Sequence, residues 1–385
     1  MILPPHPDTI VAEGRAKVRF SAPSRRVFYN PKMNLNRDLA VLFVSSHFPS
    51  WRELHLCDPM TGSGVRAVRY VLETPNVSRV VAADIEPDAV ELARQTVRIN
   101  SVENRVSVIP ADAHLLLSNL LNIRFDVVDL DPFGSPARYF ESALRATVEN
   151  GVLATTATDM GPLSGARANA CIRKYGVRPV RTEFEKEMAV RTLASCLAGI
   201  AARLELGIDV VFSHATDHYA RLYAVVRKGR KAANESLRSL GFVSYCANCL
   251  TRKSSSSLGS VDPRCENCGS ETQIGGPIWL GALWDRATVY SMIQRTPLVS
   301  SFRLSELQKT LDYIQEELST PPFYFTTSAV AAASGTKPSP IVPLLASLRE
   351  KGYQASKTHF DSTGFRTDAS VNEIVTLFRT ISGKP

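Results

Sequence analysis

Phe125-Asp126-Val127-Val128-Asp129-Leu130-Asp131-Pro132-Phe133-Gly134 is the stretch on which the reading of this chain turns. The run 125–130 is β-branched and apolar, the pattern of a buried parallel strand. It ends where Pro132 removes a ladder donor. The Asp131 carboxylate and nearby carbonyls can hold an NH2 group while the flat ring of Phe133 stacks on the base carrying it. A plain strand-to-loop turn is the alternative, and the upstream sequence decides how much weight it carries.

Upstream, Glu53 to Asp58 reads as a short strand running into Pro59-Met60-Thr61-Gly62-Ser63-Gly64, with a helix from Val65 to Glu73. The two glycines allow a tight turn and close approach to a ligand. Ala67 and the opening Asp58-Pro59 depart from the dinucleotide fingerprint. The next strand, Val80-Val81-Ala82-Ala83, ends at Asp84, before a helix from Pro87 to Ile99. Asp84 can accept two ribose hydroxyls. It could instead be a helix N-cap, for which Asp88 competes. A third strand, Val106-Ser107-Val108-Ile109, leads to Asp112-Ala113. Acidic residues at 58, 84, 112 and 131 thus mark four successive strand ends, along the edge where open parallel sheets bind ligands. Gly207–Phe212 and Tyr219–Val226 read as a closing hairpin, and the amphipathic stretch Glu183 to Leu204 as the helix beneath it.

A chain of 385 residues, 44% hydrophobic and 21% charged, is that of an ordinary globular protein of two or three domains. No apolar run approaches the ~20 residues that span a bilayer. The proline-rich start, with Pro4, Pro5 and Pro7, lacks the apolar core of a signal peptide, so a cytoplasmic location is expected. The net charge of +8 suits a polyanionic partner but is not segregated, being +3 over residues 231–385 and +5 over 1–230. Near the N-terminus, Arg15, Lys17, Arg19, Arg25, Arg26 and Lys32 are interleaved with Phe20, Phe28 and Tyr29. Such a segment can grip phosphates and stack on bases, or it can be a solvated arm.

Seven cysteines fall into two groups. Cys57, Cys171 and Cys196 sit among apolar or small neighbours and read as buried thiols. Cys246-x2-Cys249 and Cys265-x2-Cys268, 15 residues apart, have the spacing of a structural four-thiolate zinc site. A disulfide pair is the alternative, against which a reducing compartment argues. The serine-rich run Thr251 to Pro263 joins the two pairs as a loop.

Beyond Gly275-Gly276-Pro277-Ile278-Trp279-Leu280-Gly281, helices are expected around Leu283–Gln294, Leu304–Leu318, 327–335 and 339–351, with a loop-rich tail from Ser356 to Asp368. Winged-helix nucleic-acid binders are an analogy for this part. Tyr313, Phe323 and Phe325 read as core positions.

With these pieces placed, the chain resembles the tRNA guanine-26 N2-dimethyltransferase family over almost its whole length. The resemblance rests on Glu13-Gly14-x-Ala16, Val27-Phe28-Tyr29-Asn30-Pro31-x-Met33, Asn36-Arg37-Asp38 and Asp131-Pro132-Phe133-Gly134-Ser135-Pro136. Phe212-Ser213-His214, Asp217-His218-Tyr219-x-Arg221 and Gly276-Pro277-x-Trp279 extend it. It implies an α/β fold: a Rossmann-like class I methyltransferase domain on a mostly parallel seven-stranded sheet, over residues 1–232. A C-terminal α+β domain with the four-cysteine zinc site, over 233–385, would bind tRNA. It further implies S-adenosylmethionine as methyl donor, with Arg37, Arg66, Asp84, Asp112 and Ala113 as its contacts. Arg37 and Arg66 would face the methionine carboxylate, although either could be a surface ion pair. The acceptor would be N2 of a guanine in tRNA, with Asp131 taking its proton and Phe133 stacking on the ring. No membrane and no obligate protein partner are expected. A DNA amino-methyltransferase and a non-catalytic RNA-binding protein on the same scaffold are the rival readings.

Overall fold

A computed structural model describes residues 9–20, 29–120 and 122–381, so Arg25, Arg26 and Phe28 lie outside the described residues. The chain opens with an antiparallel hairpin, β1 (Thr9–Glu13) and β2 (Ala16–Phe20), turned by Gly14 at φ 56. Part of the basic segment is therefore a strand: Ala16 and Val18 are buried while Lys17 and Arg19 point outward. Helix α1 (Asn34–His47) follows, then β3 (Leu54–Asp58), α2 (Val65–Glu73), β4 (Val77–Asp84), α3 (Pro87–Ile99), β5 (Val106–Pro110) and β6 (Phe125–Leu130). Helix α4 (Phe140–Ala146) leads into β7 (Thr147–Ala157). After α5 (Ala168–Tyr175) and α6 (Glu185–Arg203), the strands β8 (Leu206–Thr216) and β9 (Tyr219–Lys228) complete a seven-stranded sheet.

The sheet order is β5-β4-β3-β6-β7-β9-β8, with β6 at its centre and β3, the first strand of the alternating series, beside it. The pairs β3–β4, β3–β6, β4–β5 and β6–β7 are parallel. Only two residues, Asp217 and His218, separate β8 from β9. That connection is too short for a parallel crossover, so the last pair runs antiparallel.

Two compact units result. The first takes the chain as far as Thr156 with Tyr223–Lys228 and Ala287–Lys309, and the second takes Ala157–Leu222, Gly229–Arg286 and the remainder from Thr310. Within the second, β10 (Leu240–Tyr245), β11 (Arg252–Ser255) and β12 (Gln273–Trp279) form a small antiparallel sheet. Beyond α7 (Arg286–Arg295) and α8 (Leu304–Glu317) come β13 (Phe325–Thr326), α9 (Thr327–Ser334) and α10 (Ile341–Glu350). The stretch expected to be a loop instead contains β14 (Ala355–Lys357) and β15 (Gly364–Thr367), which pair with β13 in the order β13-β15-β14. These strands are two to four residues long, too short for alternation to announce them. Phe323 and Phe325 are core residues.

The first unit is anchored by a buried charge network at the β1–β2 turn. Glu13 accepts Arg37 Nε and Nη2 at 2.5 Å each, Arg69 Nη1 at 3.1 Å and the Tyr29 hydroxyl at 2.7 Å. Arg69, fully buried, also pairs with Asp38 at 2.6 Å and Glu73 at 2.7 Å. Gly14 is required twice over: its φ is left-handed, and a Cβ there would lie 2.3 Å from Glu73 Oε1. Burial pushes the Glu13 carboxyl up, but the charges of Arg37 and Arg69 outweigh it and hold the group at about 2. A depressed carboxyl stabilises the fold fully above its ordinary value of 4.5 and loses that contribution as pH falls toward 2. Glu13→Gln should therefore cost about 3–5 kcal/mol at neutral pH, because the buried Arg37 guanidinium loses its charge partner and the buried Arg69 loses one of its three. Denaturant melts at pH 7 and pH 3 check this: the difference between variant and parent should shrink at the lower pH.

Candidate active site

The carboxyl edge of the parallel sheet gathers the predicted acids. Asp58 closes β3, and the chain turns through Gly62 and Gly64, both at positive φ. A Cβ on Gly64 would sit 3.0 Å from Ala93, so the turn can lie against α3 only with glycine. Thr61 donates its hydroxyl to Asp58 at 2.8 Å. Burial first, opposed by Arg66 and reinforced by Asp129 and Asp131, lifts the Asp58 carboxyl to about 7.

Asp84 does not cap α3, whose N-cap is Glu86. It braces the glycine loop instead, accepting Gly62 N–H at 2.9 Å on Oδ2 and Glu86 N–H at 3.0 Å on Oδ1. Asp112 begins a short turn of helix and accepts both His114 and Leu115 N–H on Oδ1, with Ala113 buried behind it. Asp58, Asp84 and Asp112 are thus tied to strand-end loops.

Asp131 lies one residue beyond β6 and is engaged by Arg66 Nη2. The same guanidinium donates to Asn36 Oδ1 at 3.0 Å and to Asp129 Oδ2 at 3.4 Å. Asp129 also accepts the Tyr70 hydroxyl at 2.6 Å. Phe133 projects with 81% of its surface exposed, in front of Gly134 at φ 80. Arg37 is engaged by the Glu13 network, with Asn30 O as a further acceptor at 3.1 Å.

Asn36, Tyr70 and Asp129 are members of this cluster that the sequence reading does not place in the site. A signal is present: Arg66 and Tyr70 are four apart on one helix face, and Asp129 and Asp131 are two apart where β6 ends. A carboxylate inside an apolar strand demands such partners.

In the second unit the four cysteines converge, with all Sγ atoms within 4.8 Å of one another. Cys246 and Cys268 lie 3.5 Å apart and Cys249 and Cys265 3.4 Å apart. A tetrahedron with zinc–sulfur arms of about 2.3 Å has edges of about 3.8 Å, so the donor set fits that metal. The two halves repeat one backbone design. Leu250 N–H bonds Cys246 O and Gly269 N–H bonds Cys265 O, each at 2.8 Å, with Leu250 and Gly269 both at positive φ. Cys57, Cys171 and Cys196 are buried thiols, pushed up by burial.

Strand order, glycine loop and acidic strand ends together define a class I methyltransferase. Over residues 8–379 the chain matches the family described as N2,N2-dimethylguanosine tRNA methyltransferase, and it belongs to that family. A relative from Methanosphaera stadtmanae named tRNA (guanine(26)-N(2))-dimethyltransferase is 33% identical, over 96% of each chain. One from Aquifex aeolicus, named tRNA (guanine(26)-N(2)/guanine(27)-N(2))-dimethyltransferase, is also 33% identical, over 95% of this chain and 94% of its own. The solved structure of Trm1 from Pyrococcus horikoshii with S-adenosyl-L-methionine superposes with a TM-score of 0.86 at 32% identity. That match covers 96% of this chain and 99% of the other.

Arg66→Met should destabilise the fold by about 3–5 kcal/mol, since Asp129 is buried and loses its cation. Adding Asp129→Asn to that variant should recover a large part of the loss, and thermal or urea melts of the single and double variants measure it. A double variant no more stable than the single would rule out charge pairing as the reason for this contact.

Proposed function

We infer that this protein is a tRNA methyltransferase that moves one or two methyl groups from S-adenosylmethionine to N2 of guanine 26. The observation that carries this reading is the Asp131-Pro132-Phe133-Gly134 corner, with its carboxylate held by Arg66 and its ring exposed. It sits in a chain of which 95–96% aligns with relatives named for that reaction.

The donor supplies an already activated methyl group on a sulfonium, so the protein's work is positioning and proton handling. Each Asp84 oxygen accepts one backbone N–H and keeps a lone pair for a ribose hydroxyl. Asp112 takes backbone donors only on Oδ1, leaving Oδ2 for the adenine amino group above Ala113. Arg66 and Arg37 take the methionine carboxylate, Arg37 through Nη1, which has no acceptor among the described residues. Phe133 stacks on the guanine, a contact worth roughly 1–3 kcal/mol. Asp131 accepts a hydrogen bond from the N2 amino group, orienting its lone pair, and takes the proton as the C–N bond forms. A guanine within a stem is flipped out to reach this corner. Residues 1–232 form the catalytic domain, and 233–385 the tRNA-binding domain, organised by one structural zinc on Cys246, Cys249, Cys265 and Cys268. The protein works in the cytoplasm.

Asp131→Asn should keep affinity for S-adenosylmethionine and lose most methyl transfer, because an amide accepts a hydrogen bond but is a far weaker base. Single-turnover assays on tRNA transcripts, read by nucleoside mass spectrometry for N2-methyl- and N2,N2-dimethylguanosine, test both substrate and residue. Rates near those of the parent would remove Asp131 from proton transfer.

The zinc assignment is tested separately. Cys265→Ser should release one zinc per chain and weaken tRNA binding while leaving S-adenosylmethionine affinity intact, since metal binding and local folding are coupled. Metal analysis that finds no zinc in the parent would refute it.

A further inference from the structure

Residues 160–182 are an acid-free stretch that concentrates positive charge, within the second unit and outside the C-terminal part assigned above to tRNA. Between Asp159 and Glu183 it holds Arg167, Arg173, Lys174, Arg178 and Arg181 and no Asp or Glu. All five side chains are exposed. Lys174 pairs with Asp159 at 2.8 Å, whereas no carboxylate among the described residues lies in ion-pair range of the four arginines. Some surface arginines elsewhere are partnered, Arg98 with Glu91, Arg145 with Glu141 and Arg230 with Glu205, so the four here differ from these in keeping their charge unneutralised.

The backbone carrying these cations is fixed. The Tyr175 hydroxyl donates to Asp159 at 2.5 Å, and Gly176 at φ 70 ends α5. Arg178 exchanges both backbone hydrogen bonds with Gly276, at 3.1 and 2.9 Å. A Cβ on Gly165 would approach Val180 O to 3.0 Å, and one on Gly275 would meet Val180 Cγ2 at 2.4 Å. Four unneutralised guanidinium groups on a rigid support are suited to a polyanion, because little ordering cost remains on binding.

We propose that residues 160–182 form a docking surface for the phosphate backbone of the tRNA substrate, a second contact region beside the C-terminal domain. The proposal rests on the tRNA reading above. Backbone contacts of this kind set register and carry no base information. Replacing Arg167, Arg173, Arg178 and Arg181 together by Gln should raise the dissociation constant for a tRNA transcript at least tenfold at ~150 mM salt. The dependence of log affinity on log salt should become shallower by roughly 3–4. S-adenosylmethionine affinity and the rate at saturating tRNA should stay within about twofold, so the loss appears in KM. Should the quadruple variant fold poorly, Arg173→Gln with Arg178→Gln should give about half the change in slope. A charge-matched control at exposed sites, Arg145→Gln, Lys228→Gln, Arg230→Gln and Lys231→Gln, should leave tRNA affinity and slope near those of the parent. Equal losses in the variant and the control would reduce the effect to net charge and overturn the surface, as would an unchanged slope. A parent protein without salt-dependent tRNA binding would overturn the tRNA reading itself.

Discussion

Two arginines one turn apart on α2, Arg66 and Arg69, hold the first unit together by neutralising five carboxylates. Arg66 serves Asp129 and Asp131 at the end of β6, and Arg69 serves Glu13, Asp38 and Glu73. A sheet edge lined with acids is unfavourable in an apolar surround unless cations are delivered to it. The helix that follows the glycine loop delivers them, so the geometry that cradles a ligand and the charge balance of the core depend on one element. Asp58 marks the limit of this arrangement: it lies near Arg66 but receives no hydrogen bond from it, and its carboxyl rises to about 7.

The parallel half of the fold is legible in the sequence because its signals are repeated. Helices at 65–73 and 87–99 and the strand at 125–130 stand where glycine, proline and β-branched runs place them. The strands near 355 and 364 are too short to generate a period, and the final helix, Val371–Ile381, follows that unreadable stretch. The N-terminal segment reads by its charge, while its hairpin is set by the alternate residues Ala16 and Val18. At the site, strand-end acids are visible one by one. Their partners are not, because Arg66 meets Asp129 and Asp131 only when helix and strand periods are superposed.

Arg37 illustrates how position and role can separate. The motif Asn36-Arg37-Asp38 sends its three side chains to different partners: Asn36 to Arg66, Arg37 to Glu13, and Asp38 to Arg69. A short contiguous motif thus stitches the N-terminal hairpin to the strand-end cluster, which explains its company with Glu13-Gly14 in the sequence. Any ligand that engages Arg37 also touches the network that fixes the hairpin.

The cysteine knuckles share a backbone design but differ at the residue after the second thiol. Gly269 adopts its left-handed conformation freely, whereas Leu250 adopts one at φ 63 with its side chain 4% exposed. The first knuckle therefore accepts a disfavoured torsion in exchange for a hydrophobic anchor. The two halves are not interchangeable: one is rooted in the small β10–β12 sheet and the other hangs from it. Loss of the sulfur cluster should in consequence loosen them unequally, with the Cys265 half fraying first and the Cys246 half kept in place by its buried leucine.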